Sequence, residues 1–155
     1  MAKTSDSKQW ILKLERFCAW QERSENEVKV KMEQLEIPSA KQSKLIEYLR
    51  DEGYLDDARY ACHFVMGKFR MKKWGRIKIR HALEAKSIPE KFIDKALNVL
   101  DKEEYELVLK QILRQKRKTL TSIKDPYQLN HKVSIYAMGR GFEPDLVWEI
   151  LKGMT

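Results

Sequence analysis

SENEVKVKMEQLEIPSAKQSKLIEYLRDEG, residues 24–53, divides into two helices with legible ends. Ser24 with Glu27 three residues later makes a capping box, in which each side chain covers a backbone N–H left open in the first turn. Val28, Met32 and Leu35 then recur at helical spacing. Ile37-Pro38 ends that run, and Pro38 suits the first turn of the next helix. The second helix carries Leu45, Ile46 and Leu49 on its apolar face, and Gly53 closes it.

A shift of 51 residues finds the same pattern again. Val28 falls on Ile79, Met32 on Leu83, Ile37-Pro38 on Ile88-Pro89, and Leu45, Ile46 and Leu49 on Ala96, Leu97 and Leu100. Upstream, Trp10, Leu14 and Cys18 fall on Ala61, Val65 and Phe69, the stripe of a preceding helix. A further shift of 54 takes Ile88 to Phe142, Phe92 and Ile93 to Leu146 and Val147, and Ala96, Leu97 and Leu100 to Ile150, Leu151 and Met154. Pro144 comes one place late in this copy, and the middle helix, around Leu129 to Met138, matches least well. The chain therefore reads as all-α, an elongated, curved array of three tandem three-helix repeats: residues 8–53, 56–101 and 102–155, with residues 1–7 a flexible N-terminus. The period excludes tetratricopeptide hairpins, whose repeat is about 34 residues. One such unit buries little by itself, so neighbours must pack together to complete a core. The longest candidate loop is Thr119 to Asp125.

Composition agrees. In 155 residues, 43% are apolar, above the disordered range. Gly and Pro, at 6 and 4, are too few for an all-β fold with many tight turns. The first residues have no apolar core of a signal peptide, and no apolar run is long enough to cross a membrane as a helix. Cys18 and Cys62, far apart and without companions, cannot build a disulfide framework or a thiolate zinc site. They read as core residues of a reducing compartment.

The net charge of +8 is concentrated. Residues 68–80, KFRMKKWGRIKIR, hold Lys68, Arg70, Lys72, Lys73, Arg76, Lys78 and Arg80 without an acid. Residues 110–124 hold Lys110, Arg114, Lys116, Arg117, Lys118 and Lys124, again without an acid, and the rest of the chain is net acidic. Two such blocks point to a polyanion or an acidic protein surface, contacted through phosphate or carboxylate without reading a base sequence. The plainer alternative is that they coat solvated helix faces. Trp74, among the arginines, stacks on a base or fills a partner pocket in the first reading and packs under the neighbouring unit in the second.

Catalytic patterns are missing from the sequence. Asp56-Asp57 is the one adjacent pair that invites a metal, but neighbours on a helix point about 100° apart. Asp56 as N-cap, Asp57 in the first turn and Leu55 stapled against Tyr60 is the better account. His63, His81 and His131 have no HExxH or Cys companion, no serine sits in a GxSxG elbow, and no glycine-rich phosphate loop is present. Gly139-Arg140-Gly141 reads as a helix stop. No enzyme activity and no cofactor are expected.

Several strings resemble the RecX family of bacterial RecA regulators. They are Arg23-Ser24-x-x-Glu27-Val28, Gly53-Tyr54-Leu55-Asp56-Asp57-x-Arg59-Tyr60-Ala61, Gly75-x-x-Lys78-Ile79-Arg80-x-x-Leu83, and Arg140-Gly141-Phe142 followed by Ile150-Leu151. The resemblance covers roughly residues 8 to 153, and Gly-Tyr-Leu-Asp-Asp is its most specific element. Differences fall at helix starts and caps: Arg76 where the family often has Pro, Ser87 where it often has Gly, and Gln21 where an Arg is common.

The resemblance implies a three-repeat helical protein that lies along the groove of the RecA filament on single-stranded DNA. There it hinders growth, ATP hydrolysis, strand exchange and coprotease activity. On that reading the partners are the RecA filament and single-stranded DNA, the protein is a monomer, and its home is the bacterial cytoplasm. Lys68, Arg70, Lys72, Lys73, Trp74, Arg76, Lys78 and Arg80 are expected to form one contact surface. Lys110, Arg114, Lys116, Arg117 and Lys118 form the other, while Ser24, Glu27, Asp56 and Asp57 hold the helix ends. Two rival readings stand beside it: a general single-stranded nucleic-acid-binding module that needs no RecA, and an adaptor for an unrelated acidic protein.

Overall fold

The computed structural model describes residues 2–154, with side chains described from Asp6 onward. Among them are nine helices and no strand: α1 (Ala2–Trp20), α2 (Glu25–Gln34), α3 (Ser39–Asp51), α4 (Asp57–Lys72), α5 (Arg76–Ala85), α6 (Glu90–Asn98), α7 (Lys102–Thr119), α8 (Pro126–Gly139) and α9 (Pro144–Gly153). The chain is thus all-α and falls into three successive groups of three helices. Helix α1 begins inside the stretch expected to be a flexible N-terminus, of which Met1 lies outside the described residues.

One turn is used three times. Glu36, Ser87 and Gly141 sit at φ 57°, 61° and 99°, each just past a middle helix, in the left-handed region. The next residue, Ile37, Ile88 or Phe142, is buried. Its N–H donates back to the carbonyl of Met32, Leu83 or Ala137, at 3.0, 3.2 and 3.2 Å. This is the bond and the hydrophobic plug of a Schellman stop. Proline follows at once as Pro38 and Pro89, and one place later as Pro144, because Glu143 takes the N-cap of α9.

Helices α2, α4, α7 and α8 start on a side-chain cap. The Asp56 carboxylate accepts from the N–H of Arg59 at 3.0 Å, that of Asp101 from Glu104 at 2.9 Å, and that of Asp125 from Gln128 at 3.1 Å. Ser24 accepts from the Glu27 N–H at 3.2 Å, and its own hydroxyl points at the Glu27 carboxylate, which turns outward to the next unit. Asp57 does more than supply first-turn charge, since it pairs with Arg50 at 3.3 Å and ties α4 to the end of α3.

Burial divides the molecule unevenly. Leu14, Cys18, Val28, Met32, Ile37, Leu45, Leu49 and Leu55 form one core inside α1–α3. A second, continuous core runs from Tyr60 to Leu151 through all six later helices. Leu55 belongs to the first and Tyr60 to the second, so the expected staple between them gives way to separate packing on either side of the Asp56 cap. Desolvation in the first core pushes the Cys18 thiol up to about 11, which keeps it protonated.

Candidate polyanion-binding surface

Helix α4 carries the start of the first basic block to its own C-terminus. There Lys73 takes a left-handed cap at φ 56°, its N–H donating to Phe69 O at 3.0 Å, and the chain turns through Trp74 to Gly75 and α5. The backbones of units two and three interlock at this corner. Gly75 N–H donates to Arg140 O at 2.8 Å, and Ile77 N–H to Gly141 O at 2.9 Å. A Cβ on Gly75 would stand 2.3 Å from the Gly141 carbonyl carbon, and one on Gly141 only 2.4 Å from Lys78 Cβ. No side chain fits on either side, so both glycines are required by close approach.

Polar groups complete the joint. Arg76 pairs with Glu143 at 2.8 Å, the Arg76 N–H donates to the Tyr105 hydroxyl at 3.0 Å, and that hydroxyl donates to Glu143. The Arg76 guanidinium lies 3.8 Å from the centre of the Tyr105 ring. Burial above all, and then the Glu143 carboxylate, raises the Tyr105 hydroxyl above its ordinary range, so it stays a donor. Arg140 reaches across to the Lys72 carbonyl at the end of α4 and to that of its Lys73 cap, placing a cation at the negative end of the helix.

Tyr60 does for unit one what Tyr105 does for unit two. It occupies the same place, four residues after the capping aspartate, and its hydroxyl donates to Glu27 at 2.9 Å, at the start of α2. Burial and that carboxylate raise it likewise. Glu27 also faces Lys86 at 3.7 Å, and Arg59 of α4 reaches back to Glu22 at 2.6 Å. The joint between units one and two is therefore largely polar, and the one between units two and three is a shared core with a polar rim.

The structure sorts the expected contact residues into two sets. Arg76 is held by Glu143, Arg80 by Asp94 at 2.6 Å, Arg70 by Glu104 at 3.5 Å, and Arg117 lies between helices, donating to Asn130 at 2.6 Å. Trp74 is half-buried against the second core, with Lys68 and Lys78 ammonium groups 5.0 and 4.6 Å from its ring centre. It is thus both packed and cation-flanked. Among the described residues, Lys68, Lys72, Lys73, Lys78, Lys110, Arg114, Lys116, Lys118 and Lys124 enter no ion pair.

Lys73 and Lys116, one from each block, line the same groove with Gln115, Thr119, Tyr136 and Arg140. Lys116 Nζ is 4.6 Å from the centre of the Tyr136 ring, and the Arg140 guanidinium 6.0 Å from it. The two blocks that the sequence shows apart thus meet at one place, around a partly exposed aromatic ring. Tyr136 and Arg140 were not expected there. Tyr136 lies in α8 and Arg140 caps its end; this is the helix whose repeat pattern is weakest because small Ser134 and Ala137 fill its buried face. No group of three or more histidine, cysteine or acidic side chains suited to a metal ion is gathered among the described residues.

The second three-helix domain of RecX matches residues 56–97, and the third matches residues 101–151. A regulatory protein RecX from Chlorobium phaeobacteroides is 30% identical over 152 residues, covering 97% of this chain and 96% of its own. The chain belongs to the RecX family. Another RecX regulatory protein, from Clostridium acetobutylicum, is 29% identical over 133 residues, and the chain spans 61% of its length. For one from Clostridium botulinum, 33% identical, the span is 51%. The fold is also that of solved RecX structures. A crystal structure of regulatory protein RecX superimposes with a TM-score of 0.86 at 22% identity, over 98% of this chain and 75% of that one. RecX from Lactobacillus salivarius gives 0.86 at 19% identity, over 97% of both chains. These RecX relatives are bacterial regulatory proteins, and no helix among the described residues is long and apolar enough to cross a membrane.

Proposed function

We propose that this RecX-family chain binds the RecA filament assembled on single-stranded DNA and restrains its ATPase, recombinase and coprotease activities, as a monomer and without chemistry of its own. The observation that carries the reading is the meeting of the two basic blocks at the Lys73–Lys116 groove. A filament offers DNA phosphate and acidic protein surface along a continuous track. Many modest charge contacts on a fixed array add up there without any one of them reading a base. Lys68, Lys72, Lys78, Lys110, Arg114 and Lys118, which enter no ion pair among the described residues, add free positive charge to it, while Arg70, Arg76, Arg80 and Arg117 act first on the structure that displays it.

The ATP hydrolysis rate of the cognate RecA on single-stranded DNA, with this protein titrated in, tests the proposal. Inhibition well below one copy per RecA supports action on the filament. No inhibition at any ratio removes the RecA assignment. Tyr136, partly exposed beside two cations, favours a second reading, direct binding to a naked strand. That reading requires inhibition only as the DNA sites are filled, with affinity for naked oligonucleotide falling steeply as salt rises.

A further inference from the structure

Away from both basic blocks, α1 carries a second stripe of its own. Leu14 and Cys18 face the first core, while Lys13, Arg16 and Trp20, spaced by three and four residues, share another face with Phe17, which is itself half-buried against that core. Arg23 and Lys31 from the following turn and α2 close this face into a shallow depression with no acid in its lining. Trp20 stands at its edge with 82% of its surface exposed, an unusual position for the largest apolar side chain. Arg23 is fixed beside it. Its Nε donates to Phe17 O at 3.0 Å, its guanidinium lies 3.8 Å from the Phe17 ring centre, and it is 5.9 Å from that of Trp20. Lys31 lies 5.5 Å from Phe17 on the same depression.

We propose that this face of unit one is a contact site for single-stranded nucleic acid, in which a base stacks on Trp20 and the flanking phosphates meet Lys13, Arg16 and Lys31. The pairing of a bare indole with fixed and mobile cations selects the ligand. A single strand supplies an unstacked aromatic face and a phosphate on either side of it, whereas a duplex keeps its base faces covered. An acidic peptide engages the cations but brings a flat ring only where its own sequence holds one, whereas every nucleotide of a strand carries both ring and phosphate. The site needs no recombinase, so it stands or falls apart from the RecA reading.

The test is the affinity of the full chain, without RecA, for a fluorescein-labelled oligothymidine and for the same backbone with abasic sugars. The wild-type chain binds the oligothymidine about tenfold more tightly than the abasic strand. Trp20→Ala abolishes that preference and leaves abasic binding unchanged, and Trp20→Phe restores part of it. The double substitution Lys13→Glu, Arg16→Glu flattens the salt dependence on both strands. Equal binding of the two strands by the wild type, or a Trp20→Ala variant that keeps the preference, overturns the site. So does polyglutamate displacing the oligothymidine as well as unlabelled oligothymidine does, which marks the face as a protein-binding surface. Trp20-dependent oligothymidine binding with no effect on RecA ATPase leaves this site standing and removes the RecA assignment.

Discussion

Glu36 and Ser87 hold left-handed backbone at φ 57° and 61°, in the position that Gly141 fills in the third unit. A side chain there crowds the backbone at a cost of about 1 kcal/mol, part of which glycine recovers despite its freer unfolded state. Glu36→Gly and Ser87→Gly are each expected to stabilise the chain by about 0.5–1 kcal/mol, a rise of roughly 2 °C in the thermal midpoint. Calorimetry on the two variants checks this, and a fall in either midpoint removes the shared-turn account. The same scale explains part of what the sequence conceals. Arg76 and Arg80 look like free basic side chains because their neighbours in sequence are basic. Their partners, Glu143 and Asp94, lie far along the chain, and only folding brings them within 2.8 and 2.6 Å.

At the scale of elements, the corner where α4 and α5 meet α8 and α9 fixes how the basic blocks are displayed. Gly141→Ala is expected to cost roughly 2–4 kcal/mol, since the new methyl group overlaps Lys78 Cβ and φ 99° strains any other residue. Gly139→Ala, two residues away on an open helix face, is expected to be neutral or to stabilise by about 0.5–1 kcal/mol. Urea unfolding of the pair separates the two, and equal effects contradict the interlock. The helices of the first two units were legible from the chain because Val28 and Ile79, or Met32 and Leu83, keep one spacing and bury one face. The three-unit pattern and the capping aspartate of α4 follow from local rules. The Gly75–Gly141 contact, the twin roles of Tyr60 and Tyr105, and the reach of Arg140 to α4 do not. Each joins residues more than thirty positions apart, where spacing carries no signal.

Across the whole molecule, one unit has its own core and the other two share one. The joint between them rests on Arg59 with Glu22, Tyr60 and Lys86 with Glu27, and Arg50 with Asp57, contacts that are partly exposed and individually modest. Local opening follows such divisions. Amide hydrogen exchange is therefore expected to show α1–α3 opening as one block, less protected than the continuous core of α4–α9, and uniform protection across both contradicts it. The second core is the rigid platform on which Lys73 and Lys116 converge, and that convergence is the central claim about function. The most direct test is RecA ATPase inhibition by Lys73→Glu, Lys116→Glu and the double variant, each first shown to melt like the wild type. The account predicts that each reversal raises the half-inhibitory concentration about fivefold and that the double variant raises it by about twenty-five-fold, as two additive losses on one surface. Inhibition by the double variant at the wild-type concentration would contradict it.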